Sequence, residues 1–206
     1  MKQQLFKFDE GESEVFFTSD THFGHEKIIS LCNRPFFSVE EMDNTLIENW
    51  NSVIGPNDYV FHLGDFCFKG NQYWGKILDQ LNGHKFLILG NHDSRALDFA
   101  SMTKFDWVGN QVQIMVGDRS VYLNHYPFLC YGGVYRSPEN AVWQLYGHVH
   151  SGSKSLGRDM CRLKYVFPTQ YDVGVDNNNY TPISFREIST KIKEQCEVIS
   201  GDCIDA

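Results

Sequence analysis

The sequence predicts a four-layer α/β sandwich, two mixed β-sheets packed face to face with helices outside. Three observations carry that expectation. Short apolar runs alternate with amphipathic stretches through the first half of the chain, the order that builds a parallel sheet. A two-residue turn of the Gly-X kind, Gly117-Asp118, separates two alternating runs in the second half, as in an antiparallel hairpin. Several apolar runs also end in a polar cluster that contains Asp, Asn or His.

Taken in order, "EVFFTS" (14–19) reads as a first buried strand. "FSVEEMDNTLIENWN" follows as a helix. Its Ser38 and Glu41 have capping-box spacing, and Val39, Met42, Leu46, Ile47 and Trp50 recur at helical intervals that mark a core-facing stripe. "DYVFHLGD" (58–65) is a second strand closed by Gly64, "NQYWGKILDQLNG" a helix, and "HKFLILGNHD" a third strand that stops at Gly90. "QVQIMVGDRSVYLNHYP" is the hairpin, and "WQLYGHVH" and "QYDVGVD" add strands. The first half thus looks doubly wound and the second richer in antiparallel strands. "PISFREISTKIKE" repeats capping-box spacing at Ser184 and Glu187 and predicts a late helix, after which "CEVISGDCIDA" reads as a loosely held tail. One domain is expected over residues 1–206, with its core over about 14–190.

At 206 residues, 42% hydrophobic and 21% charged, the chain is long enough to bury a substantial core and has an ordinary globular balance. A formal net charge of −8, with no block of consecutive Lys and Arg, argues against stable binding to duplex nucleic acid, which needs a basic surface. A small phosphorylated substrate stays compatible, because a metal ion supplies positive charge locally. The N-terminus carries no apolar export signal, and no stretch approaches the roughly 18–20 apolar residues of a membrane span. Six cysteines, at 32, 67, 130, 161, 196 and 203, lack any C-x-x-C spacing, which suggests reduced thiols in the cytoplasm. Each reads as a small core or surface residue; for Cys67 and Cys130, near motif residues, a metal-proximal thiol is the alternative. A homo-oligomer stays open.

The polar strand ends form a series. "TSDTH" sets Asp20 and His22 two residues apart, "LGD" places Asp65, "LGNHD" places Asn91 and His92, "LNHYP" places His125, and "YGHVH" places His148 and His150. In an extended segment residues i and i+2 point to one side, so each spaced pair can converge on one point. Sites in open α/β sheets form outside the carboxyl ends of strands. Each block alone is a weak signal, and His148 and His150 alone read equally well as surface histidines. Five in series are unlike chance.

The series resembles that of the calcineurin-like metallophosphoesterases: D-x-H, G-D, G-N-H-D/E, H and G-H-x-H. The resemblance covers about residues 14–176, and "SDTHFGH", "RPF" and "NHYPF" look like a small bacterial, archaeal and phage branch built of the bare catalytic domain. Carried over by motif position, it implies one metal ion held by Asp20, His22, Asp65 and His150. A second would be held by Asp65, Asn91, His125 and His148, with Asp65 as the bridge. Two divalent ions against two carboxylates leave a surplus of positive charge for a bridging hydroxide and a phosphate oxygen, as in-line hydrolysis of a phosphomonoester or phosphodiester, a nucleotide among them, requires. Mixed nitrogen and oxygen donors suit Mn first, with Fe, Zn, Ni or Co as alternatives, and fit Mg and Ca less well.

By the same resemblance His92 acts near the leaving group as a general acid, or else orients phosphate. Asp93 holds the His92 imidazole or caps a helix, and Asn91 also faces substrate. Arg34 is expected to bind phosphate through both arms of its guanidinium, with a surface salt bridge as the alternative. His25 reads as a loop residue, His62 as a hydrogen-bonded core group, and His84 has no role. Tyr126 and Tyr131 pack by default, with groove-lining as the alternative, and Asp172 and Asp176 are structural. Three rivals remain. A non-catalytic scaffold of this fold generally loses ligands that are kept here. A nuclease of the superfamily carries a capping domain for which the length leaves no room. A Ser-His-Asp hydrolase needs a G-x-S-x-G elbow that is missing.

Overall fold

A computed structural model describes residues 5–9, 11, 13–93, 98–137, 140–156 and 159–202. Strands β1 (Leu5–Phe8) and β2 (Val15–Thr18) lead into helices α1 (Glu26–Leu31) and α2 (Val39–Val53). There follow β3 (Tyr59–His62), α3 (Asn71–Leu78), β4 (His84–Ile88), α4 (Phe99–Met102) and β5 (Trp107–Gly109). The chain continues through β6 (Gln111–Val116), β7 (Arg119–Asn124), β8 (Trp143–Tyr146), a 3₁₀ turn (Met160–Tyr165), β9 (Gln170–Asp172), β10 (Ile183–Ser184) and α5 (Phe185–Asp202). Two five-stranded mixed sheets result, one ordered β10-β2-β3-β4-β5 and the other β1-β6-β7-β8-β9, flanked by helices.

The period-2 alternation of the strands decides which side chains meet. In the first sheet Phe17, Phe61, Phe86 and Ile88 face the second sheet, where Ile114, Val121, Leu123 and Leu145 meet them. Phe16, Val60 and Leu87 point the other way, into Met42, Leu46 and Trp50 of α2 and Trp74 and Ile77 of α3. Fully burying side chains of this size stabilises by roughly 1.5–3 kcal/mol each before conformational entropy is charged against it. The α2 stripe is therefore core-facing as its spacing predicts. Its Ser38 hydroxyl accepts from Glu41 N–H (3.1 Å), while the Glu41 carboxylate takes the N–H of Phe37 rather than that of Ser38. At α5 the box closes fully: Ser184 N–H donates to Glu187 and Glu187 N–H to the Ser184 hydroxyl.

Two expectations need correction, and two strands add to the predicted set. β1 and β5, four and three residues long, were not among the predicted strands. The second half is less antiparallel than its pattern suggests: β6–β7 is the predicted hairpin, with Gly117 at φ 53°, but β7–β8 and β8–β9 are parallel. The segments 125–142 and 147–169 between them are long enough for the crossovers that parallel neighbours need. The outer face of the second sheet at β7–β9 is met by the segment after His125, where Phe128 N–H donates to Gln144 and the Phe128 carbonyl accepts from Gln170. Finally, the supposed tail is helical: α5 runs to Asp202, burying Ile188 and Ile192 in the inter-sheet core, and only residues 203–206, Cys203 among them, lie outside the described residues. No helix among the described residues is long and apolar enough to cross a membrane.

Candidate metal centre

Each motif block sits where a strand hands over to a loop. β2 delivers Asp20 and His22, β3 Asp65, β4 Asn91, His92 and Asp93, β7 His125, and β8 His148 and His150. The loops lock to one another through their backbones: Asp20 N–H to Gly64 O (2.9 Å), His22 N–H to Asp65 O (3.0 Å), and Gly147 N–H to His125 O (3.0 Å). Across the sandwich, His148 N–H donates to the Asp20 carboxylate at 2.8 Å. The approach is so close that side chains are excluded at two glycines. A Cβ on Gly64, itself at φ 98°, would lie 2.6 Å from Gly90 N, and one on Gly147 would lie 2.0 Å from the Ser19 hydroxyl.

Backbone strain collects at the same points. Of eight described non-glycine residues with positive φ, five are Asp20, His22, Asp65, His148 and His150. The left-handed region costs a non-glycine residue of order 1 kcal/mol or more, and such strain persists only where the surroundings enforce it. Here it turns consecutive ligand-type side chains toward one cleft.

Within that cleft the Asp65 carboxylate lies between two imidazoles, its Oδ2 3.6 Å from His22 Nε2 and 3.7 Å from His125 Nε2. Asp20 Oδ1 lies 3.9 Å from His22 Nε2 and 3.8 Å from His150 Nε2. Asp20 Oδ1 and His22 Nε2 are buried with no hydrogen-bond partner. Asn91 Oδ1 lies 3.0 Å from His125 Nε2, while His125 Nδ1 faces the Leu63 carbonyl at 2.8 Å. A carbonyl can only accept, so Nδ1 donates to Leu63 O, and Nε2 is left facing the Asn91 side chain in the cleft.

The charge states follow from the same crowding. Burial, then the neighbouring His150, holds His22 well below the usual imidazole range, and burial lowers His148 as well. Burial raises Asp65, outweighing the pull of His125. Burial also opposes charge on His150, yet the Asp176 hydrogen bond and the Asp20 charge win and push it up to about 11.

Ligand atoms come within 4.8 Å of one another in two groups here, Asp20/His22/His150 and Asp20/Asp65/His125. Imidazole nitrogens, carboxylates and an amide oxygen gathered in one cleft, two of these atoms buried without a partner, fit divalent metal ions. His148 stands beside these groups rather than within them, its Nε2 3.5 Å from Asp159 and its ring 5.1 Å from His125. The cleft encloses about 340 Å³. Larger depressions of about 670 and 640 Å³ near the β6–β7 turn gather none of the motif residues.

Three expectations change. Arg34 is not placed to grip phosphate, nor does it form a surface pair. It is 4% exposed, Nε and Nη2 fork onto Asp176 at 2.9 Å each, Nη2 also donates to Asp20 O, and Nη1 donates to Thr21 O and Met42 Sδ. All five N–H groups are thus spent inside the protein. Asp93 is turned away from His92: its carboxylate accepts the backbone N–H of Asp65, Phe66 and Gly90 at 2.8–2.9 Å and so pins two ligand loops together, while residues 94–97, on which the expected helix cap depends, lie outside the described residues. Burial nonetheless pushes its carboxyl up to about 6. Asp176 is more than structural, since it holds His150 Nδ1 at 2.6 Å as well as Arg34. Its position 142 residues from Arg34 left no local signal.

The other candidates sort plainly. His92 is 43% exposed at the side chain, 3.9 Å from Asp65, its backbone N–H on Asp65 Oδ1. His25 is more than loop: its Nδ1 meets His22 Nδ1 at 3.2 Å, and burial lowers it to about 4. His62 is the expected hydrogen-bonded core group, on Thr21 and Gly64, and Asp172 holds Ser151 and Gly174. Tyr131 packs, its hydroxyl on Thr169, whereas the Tyr126 hydroxyl reaches Asn91 at 3.4 Å. Cys67 is buried and Cys130 exposed, and neither joins a candidate ligand group; Cys32 does, beside His150 and Asp176.

A sequence profile of calcineurin-like phosphoesterases matches residues 14–162. An uncharacterized protein of Methanocaldococcus jannaschii is 30% identical over 196 residues, 90% of this chain and 94% of that one. The gene 66 protein of Mycobacterium phage L5 is 30% identical over 190 residues, 80% of this chain and 87% of its own. Among solved structures, a protein of unknown function from Aquifex aeolicus matches with a TM-score of 0.65 at 30% identity, over 87% of this chain and 99% of that one. The profile begins just before β2 and runs beyond His150, so every strand end that builds the cluster falls inside it, and the chain belongs to the calcineurin-like phosphoesterase family.

Proposed function

We propose that this chain is a single-domain enzyme that hydrolyses a small soluble phosphoester, a nucleotide among the candidates, with two divalent transition-metal ions, Mn first. Asp20, His22, Asp65 and His150 would hold one ion, and Asp65, Asn91, His125 and His148 the other. When bound, such ions activate water and neutralise phosphoryl oxygens. The observation that carries this reading is the pair of buried, unpartnered atoms, Asp20 Oδ1 and His22 Nε2, converging with Asp65 Oδ2 on one point. Buried polar atoms are rarely left unpaired without a reason.

His92 supplies the proton for the leaving oxygen. Its ring is half open to the cleft, while its backbone N–H is tied to Asp65, which fixes its distance from the reacting centre. Asp93 keeps that distance by pinning the loops of Asp65 and Asn91. The net charge of −8 and the expected cytoplasmic setting favour a small substrate over duplex nucleic acid.

The test joins elemental analysis of Mn-reloaded protein with His92→Asn kinetics. Two ions per chain are expected. His92→Asn should keep both, yet slow an alkyl ester about 10²–10⁴-fold and a nitrophenyl ester far less, because nitrophenolate departs without help. Equal slowing of both esters would remove the proton-donor role. Metal content near zero would sink the dinuclear reading, and full metal content without turnover of any ester would leave a binding scaffold.

A further inference from the structure

Apolar surface gathers around the metal centre in a way that hydrolysis of a phosphoryl group does not require. Leu31 and Leu156, 51% and 68% exposed, line the same cleft as His22 and His92. Phe68, 44% exposed, stacks on His25 with ring centroids 3.8 Å apart and planes 7° from parallel, and its ring lies 5.0 Å from that of His92. The half-exposed Tyr126 ring stands 4.6 Å from that of His148.

Single exposed apolar residues need no explanation, but a group of them converging on a polar centre marks the apolar part of a ligand. Phosphate and water need charge and donors, which the metal ligands provide. The leucines alone would serve any greasy group. A parallel ring stack fixed before anything binds offers a flat face instead, and flat faces select rings.

We infer that the substrate carries an aromatic ring system beside its phosphoryl group, laid against the His25–Phe68 stack and bounded by Leu31 and Leu156. The phosphoryl half of this inference rests on the function proposed above; the ring half rests on the stack and the exposed leucines.

Calorimetric titration of the Mn-loaded protein with adenosine 5′-monophosphate and with ribose 5-phosphate isolates the ring, since the two share sugar and phosphate. The nucleotide should bind about 5- to 100-fold more tightly, the range of one base stacking on one aromatic side chain. Phe68→Ala should close most of that gap and Phe68→Tyr restore it. Equal affinities in the parent protein would overturn the inference, as would an unchanged gap in a Phe68→Ala variant that melts like the parent. Turnover is read separately. Ring-selective binding without hydrolysis of any ester would sink the hydrolytic reading and leave the ring preference standing.

Discussion

Replacing Arg34 by Lys separates a residue that grips substrate from one that builds the site. The guanidinium makes five hydrogen bonds inside the protein, two to Asp176, two to the carbonyls of Asp20 and Thr21, and one to Met42 Sδ. An ammonium has three donors radiating from one point and cannot span the fork and both carbonyls together. If it keeps Asp176, one or both carbonyls lose their donor in a place that water does not reach. Each orphaned buried acceptor costs about 1–3 kcal/mol, so Arg34→Lys should destabilise by roughly 2–4 kcal/mol. For a chain of this size each kcal/mol lowers the melting temperature by about 2–4 °C, which puts the expected fall at roughly 5–15 °C. Thermal unfolding followed by circular dichroism, with chelator present so that metal binding does not mask the effect, reads it directly. A variant that melts within about a degree of the parent while its KM for a phosphoester climbs would refute this reasoning and return Arg34 to the substrate.

Two further outcomes follow from groups around the site. Asp176→Asn weakens the carboxylate that holds His150 Nδ1, and losing such a partner typically costs 10–100-fold in metal affinity; Mn titration reads it, and unchanged affinity would show that His150 is not a ligand. His62 is fully buried, and burial drives its pKa from 6.5 to about 3. Below pH 6.5 the unfolded chain therefore takes up a proton that the native protein refuses until about pH 3, so this group costs stability as pH falls through that window and is silent above it. At pH 5 the cost is about 2 kcal/mol. Denaturant melts of His62→Gln should show that much less loss between pH 7 and 5, and identical slopes for variant and parent would remove His62 as the cause.

The legible parts of this protein are those where one short segment carries both signal and role. Asp20-x-His22 and His148-x-His150 announce themselves because strand ends and ligand spacing are both local. The α2 stripe does so because helical periodicity spans many residues. What stayed hidden depends on pairing between distant segments. Arg34 reads as a phosphate ligand until Asp176, far along the chain, consumes its fork. Asp93 reads as a partner for its neighbour His92 until the fold brings the amides of Asp65 and Phe66 within reach. β1 is a four-residue stretch that pairs with β6, more than 100 residues later, and no window reading could have paired them. Strand direction in the second half was misjudged for a similar reason, since crossover length rather than residue pattern decides it.

The two sheets divide the donor set between them. Asp20, His22, Asp65 and Asn91 leave the ends of β2, β3 and β4, while His125, His148 and His150 leave β7 and β8 of the other sheet. A ribosome releases these groups in that order. The early sheet can gather its four strands β2 to β5 as soon as residue 109 has emerged, yet it then owns only the oxygen-rich half of the site and one imidazole for it. The remaining ligand-type imidazoles arrive only after β7 and β8. Five of the eight histidines lie in that early part, but three of the four imidazoles proposed as ligands do not. The full donor set therefore exists only once the second sheet has packed on the first.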